Sequence, residues 1–161
     1  MKVVSACLAG VKCNYKQQSN PYQQIVEMVS NGLALPVCPE QLGGLPTPRI
    51  PAEIISNKVI NKNGEDVTGQ FRFGAQEALR ISLLAKCDGA ILKSNSPSCG
   101  VGYVYDGSFE GKLIQGNGVF AQLLLDKGIK VISEKDLGEW IFSIFICKID
   151  MFPYICSVKL N

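Results

Sequence analysis

The sequence predicts an α/β fold: one domain with a mainly parallel sheet flanked by helices and small β-hairpin insertions. Short apolar runs that read as buried strands alternate with helical patterns, the arrangement that gives a parallel sheet with right-handed crossovers. The chain has 161 residues, enough for one core, and it shows no internal repeat or low-complexity linker. Apolar residues make up 47% and charged residues 19%, a balance that specifies an ordered globular protein. Together these describe a Rossmann-like architecture.

The elements follow in order. A first strand covers about Lys2–Cys7 and passes into a polar loop through Asn20. Pro21 suits the first turn of a helix running to Ser30, because its fixed φ is already helical, and Asn31-Gly32 supplies the stop. The second strand is Leu33–Cys38. Four prolines and an adjacent glycine pair make the stretch from Pro39 to Pro51 a loop. A hairpin is expected at Lys58–Asp66 around Asn63-Gly64. From Thr68 to Lys86, Phe71, Ala75, Ala78, Leu79, Ser82 and Leu83 recur at helical spacing and define a buried face. Gly89–Leu92 is the third strand, Tyr103–Gln115 a second hairpin, Asn117–Lys127 a helix stopped by Gly128, and Lys130–Ser133 the fourth strand. Residues 1–139 form the α/β domain. Residues 140–161 form an apolar C-terminal extension, packed on the domain or extending from it, and a surface through which copies could associate.

Composition excludes several functions. A net charge of +2 with no dense Lys/Arg run does not predict nucleic-acid binding. The most apolar stretch, Trp140–Ile149, is about half of the roughly 20 residues that a membrane span needs, so no membrane association is expected. Histidine is absent. Imidazole ligands and Ser-His or Cys-His nucleophile pairs are therefore excluded, and proton transfer falls to Asp, Glu, Lys, Tyr or a thiol. Seven cysteines, an odd number, and a start that runs directly into a strand without a signal-peptide pattern predict reduced thiols in the cytoplasm.

Three of the cysteines carry the functional argument. Cys7, Cys38 and Cys99 each follow an apolar strand run and stand among glycine, proline and polar residues. Parallel strands would deliver all three thiols to one sheet edge, where open α/β sheets bind ligands. Three thiolates leave a metal or cluster position open. Cys13, six residues beyond Cys7, is a candidate fourth ligand, a resolving thiol or a bystander. Cys87, Cys147 and Cys156 lie in or beside apolar segments and read as small core residues. No C-x-x-C pair is present, which weighs against a zinc ribbon and a thioredoxin-type centre. Long-range ligands without histidine favour an iron–sulfur cluster over zinc.

Other polar residues cluster around these loops. Glu40, two residues beyond Cys38, could move a proton in the same cavity, or could instead cap a helix or pair with Arg49. Ser96 and Ser98 flank Pro97 and could orient a substrate or form the turn. Arg49 and Lys93 are candidates to hold an anionic group, or solvated surface charges.

At SACLAG…CNY, CPEQLGGLPTPR, GEDVTGQFRFGA and LKSNSPSCGVGYVYDGSFEG, the chain closely resembles the domain-of-unknown-function 523 family, which includes thiouracil desulfidases. The match runs from about Lys2 to Glu134. The resemblance implies an oxygen-sensitive enzyme whose 4Fe–4S cluster is held by Cys7, Cys38 and Cys99. Its unique iron would take the sulfur of a thiolated base such as thiouracil, and hydrolysis would leave the oxo-base. It further implies that Glu40 and Ser96 assist catalysis. Relatives often end the first loop in RYDG, whereas this chain has Cys13-Asn14-Tyr15-Lys16, a departure that bears on the substrate pocket. Two other classes remain beside this one: a structural or regulatory zinc-binding domain using Cys7, Cys13, Cys38 and Cys99, and a non-catalytic interaction module that presents the apolar tail.

Overall fold

The computed structural model describes residues 1–138; the apolar stretch from residue 140 onward, with Cys147 and Cys156, lies outside the described residues. Four strands form the parallel sheet: β1 (Lys2–Ser5), β2 (Ala34–Val37), β5 (Gly89–Leu92) and β8 (Lys130–Ser133), in the order β2-β1-β5-β8. Two antiparallel hairpins, β3 (Ala52–Ile55) with β4 (Lys58–Asn61) and β6 (Tyr103–Tyr105) with β7 (Leu113–Gln115), stand outside it. The helices are α1 (Gln23–Ser30), α2 (Pro39–Leu42), α3 (Thr68–Leu84) and α4 (Val119–Asp126).

Alternation along the strands decides how the layers pack, since successive side chains point to opposite faces. Val3, Val37, Ala90 and Leu92 join Phe120, Leu124, Ala75 and Ala78 in a core under α3 and α4. Val4, Ala34 and Ile91 turn the other way, toward Ile25 of α1, Leu8 and Leu137. Both faces of the sheet are thereby covered, which is why its strands read as continuous apolar runs. The sheet register brings Ser5 opposite Val37, and Leu92 opposite Ser133, so the strands end at a common edge.

The expected α/β class holds, with four local corrections. Cys7 lies beyond its strand, in a 3₁₀ turn over Ala6–Ala9 closed by Gly10 at φ +96°. Pro39 opens a short helix instead of a loop, because proline fits the first helical position. The long ladder of the first hairpin is β3–β4, turned by Ser56 and Asn57 at positive φ, while Asn63-Gly64 makes a smaller turn held by the Asn61 side chain. In α3, Phe71, Ala75, Ala78 and Ser82 are buried as expected, but Leu83 is half exposed. Among the described residues no helix is long and apolar enough to cross a membrane.

The helix carrying Pro39 and Glu40 rests on α3 almost backbone to backbone. A Cβ added at Gly74 would lie 1.9 Å from the Pro39 carbonyl oxygen and 2.6 Å from the Gly43 nitrogen. Glycine is required there by close approach, not by torsion. Gly74→Ala is therefore expected to cost about 1–3 kcal/mol through overpacking. Gly69→Ala, in the same helix but facing open space, should be neutral or stabilising by up to about 1 kcal/mol. Denaturant unfolding of both variants checks the contrast; equal stabilities would remove the role of Gly74.

Candidate active site

At the carboxyl edge of the sheet, three loops enclose a cavity of about 440 Å³, a size suited to a small organic ligand. Cys7, Cys13, Cys38 and Cys99 all line it, together with Glu40, Arg49, Lys93 and Ser96. The structure thus brings together four thiols from the loops after β1, β2 and β5. Cys87 is buried elsewhere as the sequence suggested, with burial pushing its thiol up.

The first loop is shaped by its own polar residues. The Cys7 carbonyl accepts hydrogen bonds from the Gly10 N–H at 3.4 Å and the Asn20 N–H at 2.9 Å. The Asn14 carboxamide oxygen accepts from Lys16 and Gln18, while its nitrogen donates to Asn20. Cys13 is left almost wholly buried beside the cavity. Its carbonyl accepts from Arg49 Nη2 at 3.0 Å and, more weakly, from the Cys38 thiol at 3.8 Å.

In the second loop, Cys38 immediately precedes α2, and Glu40 lies in that helix's first turn. Arg49 Nε donates to Glu40 Oε2 at 2.6 Å, and both side chains are largely withdrawn from water. The same guanidinium donates to the Pro46 carbonyl and the Thr47 hydroxyl. Of the readings open for Glu40, the pairing with Arg49 is realised, and it coexists with a place on the cavity wall.

The third loop carries Cys99. Ser96 Oγ accepts from the backbone N–H groups of Ser98 and Cys99, each at 3.1 Å, which leaves its own proton to donate. The Pro97 and Ser98 carbonyls accept the first N–H groups of α4, at 2.9 Å each. Gly118 permits this contact, since a Cβ there would come within 2.5 Å of Ser98. Ser98 itself is fully buried and not on the cavity wall, so it is not placed to touch a ligand in the cavity as the sequence reading had it.

Lys93 is also differently engaged from a free anion binder. Its ammonium pairs with Glu134, whose carboxylate additionally accepts from the Ser94 N–H at 2.7 Å and the Ser94 hydroxyl at 2.8 Å. The Lys93 N–H donates to Ser5 Oγ at 2.9 Å, joining the third loop to β1. Both candidate anion-binding cations therefore hold carboxylates of the protein itself.

The thiols are environments for protonated sulfur until something replaces the proton. For Cys13, the hydrogen bond from Cys38 draws its thiol down, but Cys7 and burial outweigh it and leave it at about 11. Hydrogen bonding with Cys13, followed by burial, pushes Cys38 well above the ordinary thiol range. Burial pushes Cys99 up to about 12, opposed by the hydroxyls of Ser5 and Ser98. A metal or cluster binding here must displace those protons. Among the described residues, no three cysteine or carboxylate side chains converge closely enough to hold a single metal ion. The zinc alternative consequently lacks a ligand set there.

The far wall of the cavity was not anticipated from the sequence. Glu53, Tyr105 and Phe109 line it from the two hairpins, beside Tyr15 of the first loop and Ile50 of the second. Glu53 Oε2 accepts from the N–H groups of Gly107 at 2.8 Å and Phe109 at 3.1 Å, which fixes the β6–β7 loop over the cavity. The only hint in the sequence was a carboxylate inside an otherwise apolar strand.

A family model described as 2-thiouracil desulfurase matches residues 3–136. The uncharacterized protein YbbK of Bacillus subtilis is 42% identical over 149 residues, spanning 86% of this chain and 99% of YbbK. Among solved structures, the 4Fe–4S-dependent thiouracil desulfidase TudS superposes with a TM-score of 0.83 at 41% identity, covering 90% of this chain and 97% of TudS.

The Glu134 cluster has a testable pH dependence. Burial would raise its carboxyl, but the bonds from Lys93 and Ser94 prevail and hold it below the ordinary value of 4.5. A lowered folded value means that its contribution is present above about pH 4.5 and is lost as pH falls through the folded value. Glu134→Gln is expected to cost about 1–3 kcal/mol at pH 7 and to flatten the loss of stability below pH 4.5. Unfolding followed across pH 3–7 (roughly the range of carboxylate titration) measures both effects; parallel curves for the two proteins would exclude the assignment.

Proposed function

The chain belongs to the 2-thiouracil desulfurase family, and from that membership we propose that it removes sulfur from a thiolated pyrimidine base by hydrolysis, using a 4Fe–4S cluster held by Cys7, Cys38 and Cys99. The observation that carries this reading is the gathering of those thiols with Glu40 and Ser96 around one cavity. The donor set fits the group: soft sulfur ligands without imidazole suit an iron–sulfur cluster, and three of them leave one iron free. Cys13, though beside Cys7 and Cys38, is the spare thiol in this assignment. When bound, the cluster supplies a Lewis-acidic iron for the thiocarbonyl sulfur.

The protein's own groups do the rest. The net change is thiocarbonyl plus water to carbonyl plus hydrogen sulfide, with no redox step. Glu40 accepts the proton of the attacking water, and its ion pair with Arg49 holds the carboxylate in place while doing so. Ser96, its oxygen already saturated by two N–H groups, donates its hydroxyl proton to the substrate. Tyr15, Tyr105 and Phe109 provide flat apolar faces for a pyrimidine ring. Lys93 and Arg49 order the site through Glu134 and Glu40 instead of binding substrate charge. The five described cysteines, all free, suit the reducing cytosol as the compartment. The interaction-module reading depended on the apolar tail, which lies outside the described residues.

Anaerobic reconstitution with iron and sulfide should give a brown protein that converts 2-thiouracil to uracil with release of sulfide. Cys99→Ser should lose both iron and activity, and full retention of either would refute the ligand assignment. Glu40→Gln should keep its iron and lose about 10²–10⁴-fold in kcat; an unchanged kcat would remove the proton-transfer role. Cys13→Ser should bind iron like the wild type. Iron loss in that variant would make Cys13 a ligand and leave no free iron, contradicting the mechanism.

A further inference from the structure

We propose that Glu53 is a specificity-determining residue: its free carboxylate oxygen accepts a hydrogen bond from a ring N–H of the base in the cavity. This rests on the thiolated-base reading made above and names a residue that recognises the ring.

Glu53 stands among Ala52, Ile54 and Ile55 in β3 and is only 8% exposed. The other enclosed carboxylates have cations: Glu134 pairs with Lys93, and Glu40 with Arg49. Among the described residues no cation pairs with Glu53. Its Oε2 is held instead by the N–H groups of Gly107 at 2.8 Å and Phe109 at 3.1 Å. Burying a charge in this way is costly, and holding the β6–β7 loop does not require it. A glutamine carbonyl oxygen would accept the same two N–H groups without the charge. The second oxygen is the part of the residue that loop-holding leaves unexplained.

Among the described residues nothing donates to that oxygen, Oε1. Ser98 Oγ is the one side-chain oxygen or nitrogen there that is sealed from water without a partner, so Oε1 keeps an accessible face. The space that Glu53 lines is the cavity. Two bonds to Oε2 fix the orientation of the carboxylate, so Oε1 presents its lone pairs in a set direction. An ionised carboxylate only accepts, and it forms stronger hydrogen bonds than a neutral acceptor. Its complement is therefore a donor.

The adjoining wall indicates what carries that donor. Tyr105 and Phe109 line the cavity with Glu53, and Phe109 sits at φ +59°, its N–H bound to the same carboxylate. A flat ring against these aromatic faces carries its N–H groups on its edge, where a wall acceptor meets them. Uracil and 2-thiouracil share the same two ring N–H groups. The contact thus selects the ring and is independent of whether oxygen or sulfur is attached to it.

Calorimetry on the anaerobically reconstituted protein tests this with uracil, which is not consumed, and with its 1-methyl and 3-methyl derivatives. Methylation at the contacted nitrogen should weaken binding to wild type about 10–100-fold, as expected for loss of a hydrogen bond to a charged group. Wild type that binds both methylated bases as tightly as uracil would overturn the proposal without any variant. Glu53→Gln keeps an acceptor for the loop but loses the free carboxylate oxygen. It should bind uracil about 10–100-fold more weakly, raise KM for 2-thiouracil with it, and be insensitive to the methylation that wild type resists. Unchanged affinity for uracil, or an equal loss for all three bases, would assign Glu53 to the loop alone and overturn the proposal. Turnover of 2-thiouracil by wild type is scored separately. Glu53-dependent uracil binding without turnover would defeat the desulfidase reading and leave this recognition standing, whereas turnover without it would do the reverse.

Discussion

The Arg49 guanidinium is the contact on which the site depends. The sheet delivers Cys7 and Cys38 only to a common edge; the segments that follow are rich in glycine, proline and asparagine and have no regular ladder to order them. Arg49 joins them, donating to Glu40, to Pro46 and Thr47 in its own loop, and to the Cys13 carbonyl in the other. Its backbone N–H adds a bond to the Tyr15 carbonyl at 2.9 Å. A guanidinium can make these contacts at once because its donors form a rigid planar fork, which a lysine ammonium on a flexible stem does not reproduce. The pair is sheltered, so its net contribution to stability is small, and removing either partner would strand a charge. What the pair supplies is arrangement: two cysteine loops and one carboxylate in fixed relation.

The third loop is secured by different means, and the division is informative. Glu134 holds Lys93 and Ser94 at the end of β5, Ser5 holds the Lys93 N–H, and α4 begins on the Pro97 and Ser98 carbonyls. Glycine at 118 lets the loop and helix meet at backbone distance, as Gly43 and Gly74 do for α2 on α3. Cys99 is consequently buried, as Cys13 is, while Cys7 and Cys38 remain partly open. A cavity assembled this way has its cysteines positioned by packing, which suits long-range cysteines that no short motif could pre-position.

Sequence reading recovered the parts governed by local pattern. Gly89–Leu92 has the boundaries its apolar run suggests, because a strand buried on both faces leaves an unbroken signal, while the edge strand Lys130–Ser133 was marked by Val131-Ile132 following the Gly128 stop. The helix at Pro39 was hidden because four prolines nearby read as loop, although proline is at home in a first turn. The first hairpin was displaced because Asn63-Gly64 has stronger turn chemistry than Ser56-Asn57, and cross-strand pairing with Ala52–Ile55 decided between them. Three site cysteines were legible from their strand-end positions. The partners of Arg49 and Lys93 were not: Glu134 lies 41 residues from Lys93, and nothing local marks it. Ser98 was misread for the same reason, since proximity to Cys99 in sequence does not reveal which residue faces the cavity.

The absence of histidine sharpens the chemistry of this cavity. Proton transfer needs a titratable group that lines the wall and is not already committed elsewhere. Lys93 is bound to Glu134, and Glu53 is occupied by the Gly107 and Phe109 N–H groups as the anchor of the β6–β7 loop. The thiols of Cys7, Cys38 and Cys99 are assigned to the cluster and cannot also carry protons. Glu40 has one oxygen engaged by Arg49 and stands two residues from a proposed ligand, in the first turn of a helix clamped onto α3. The same ion pair that joins the two cysteine loops therefore also holds the carboxylate proposed as the base, so that in the proposed mechanism both depend on one contact. An imidazole in this position would compete for the metal. A carboxylate paired to arginine holds its place beside soft thiolate ligands without becoming one of them.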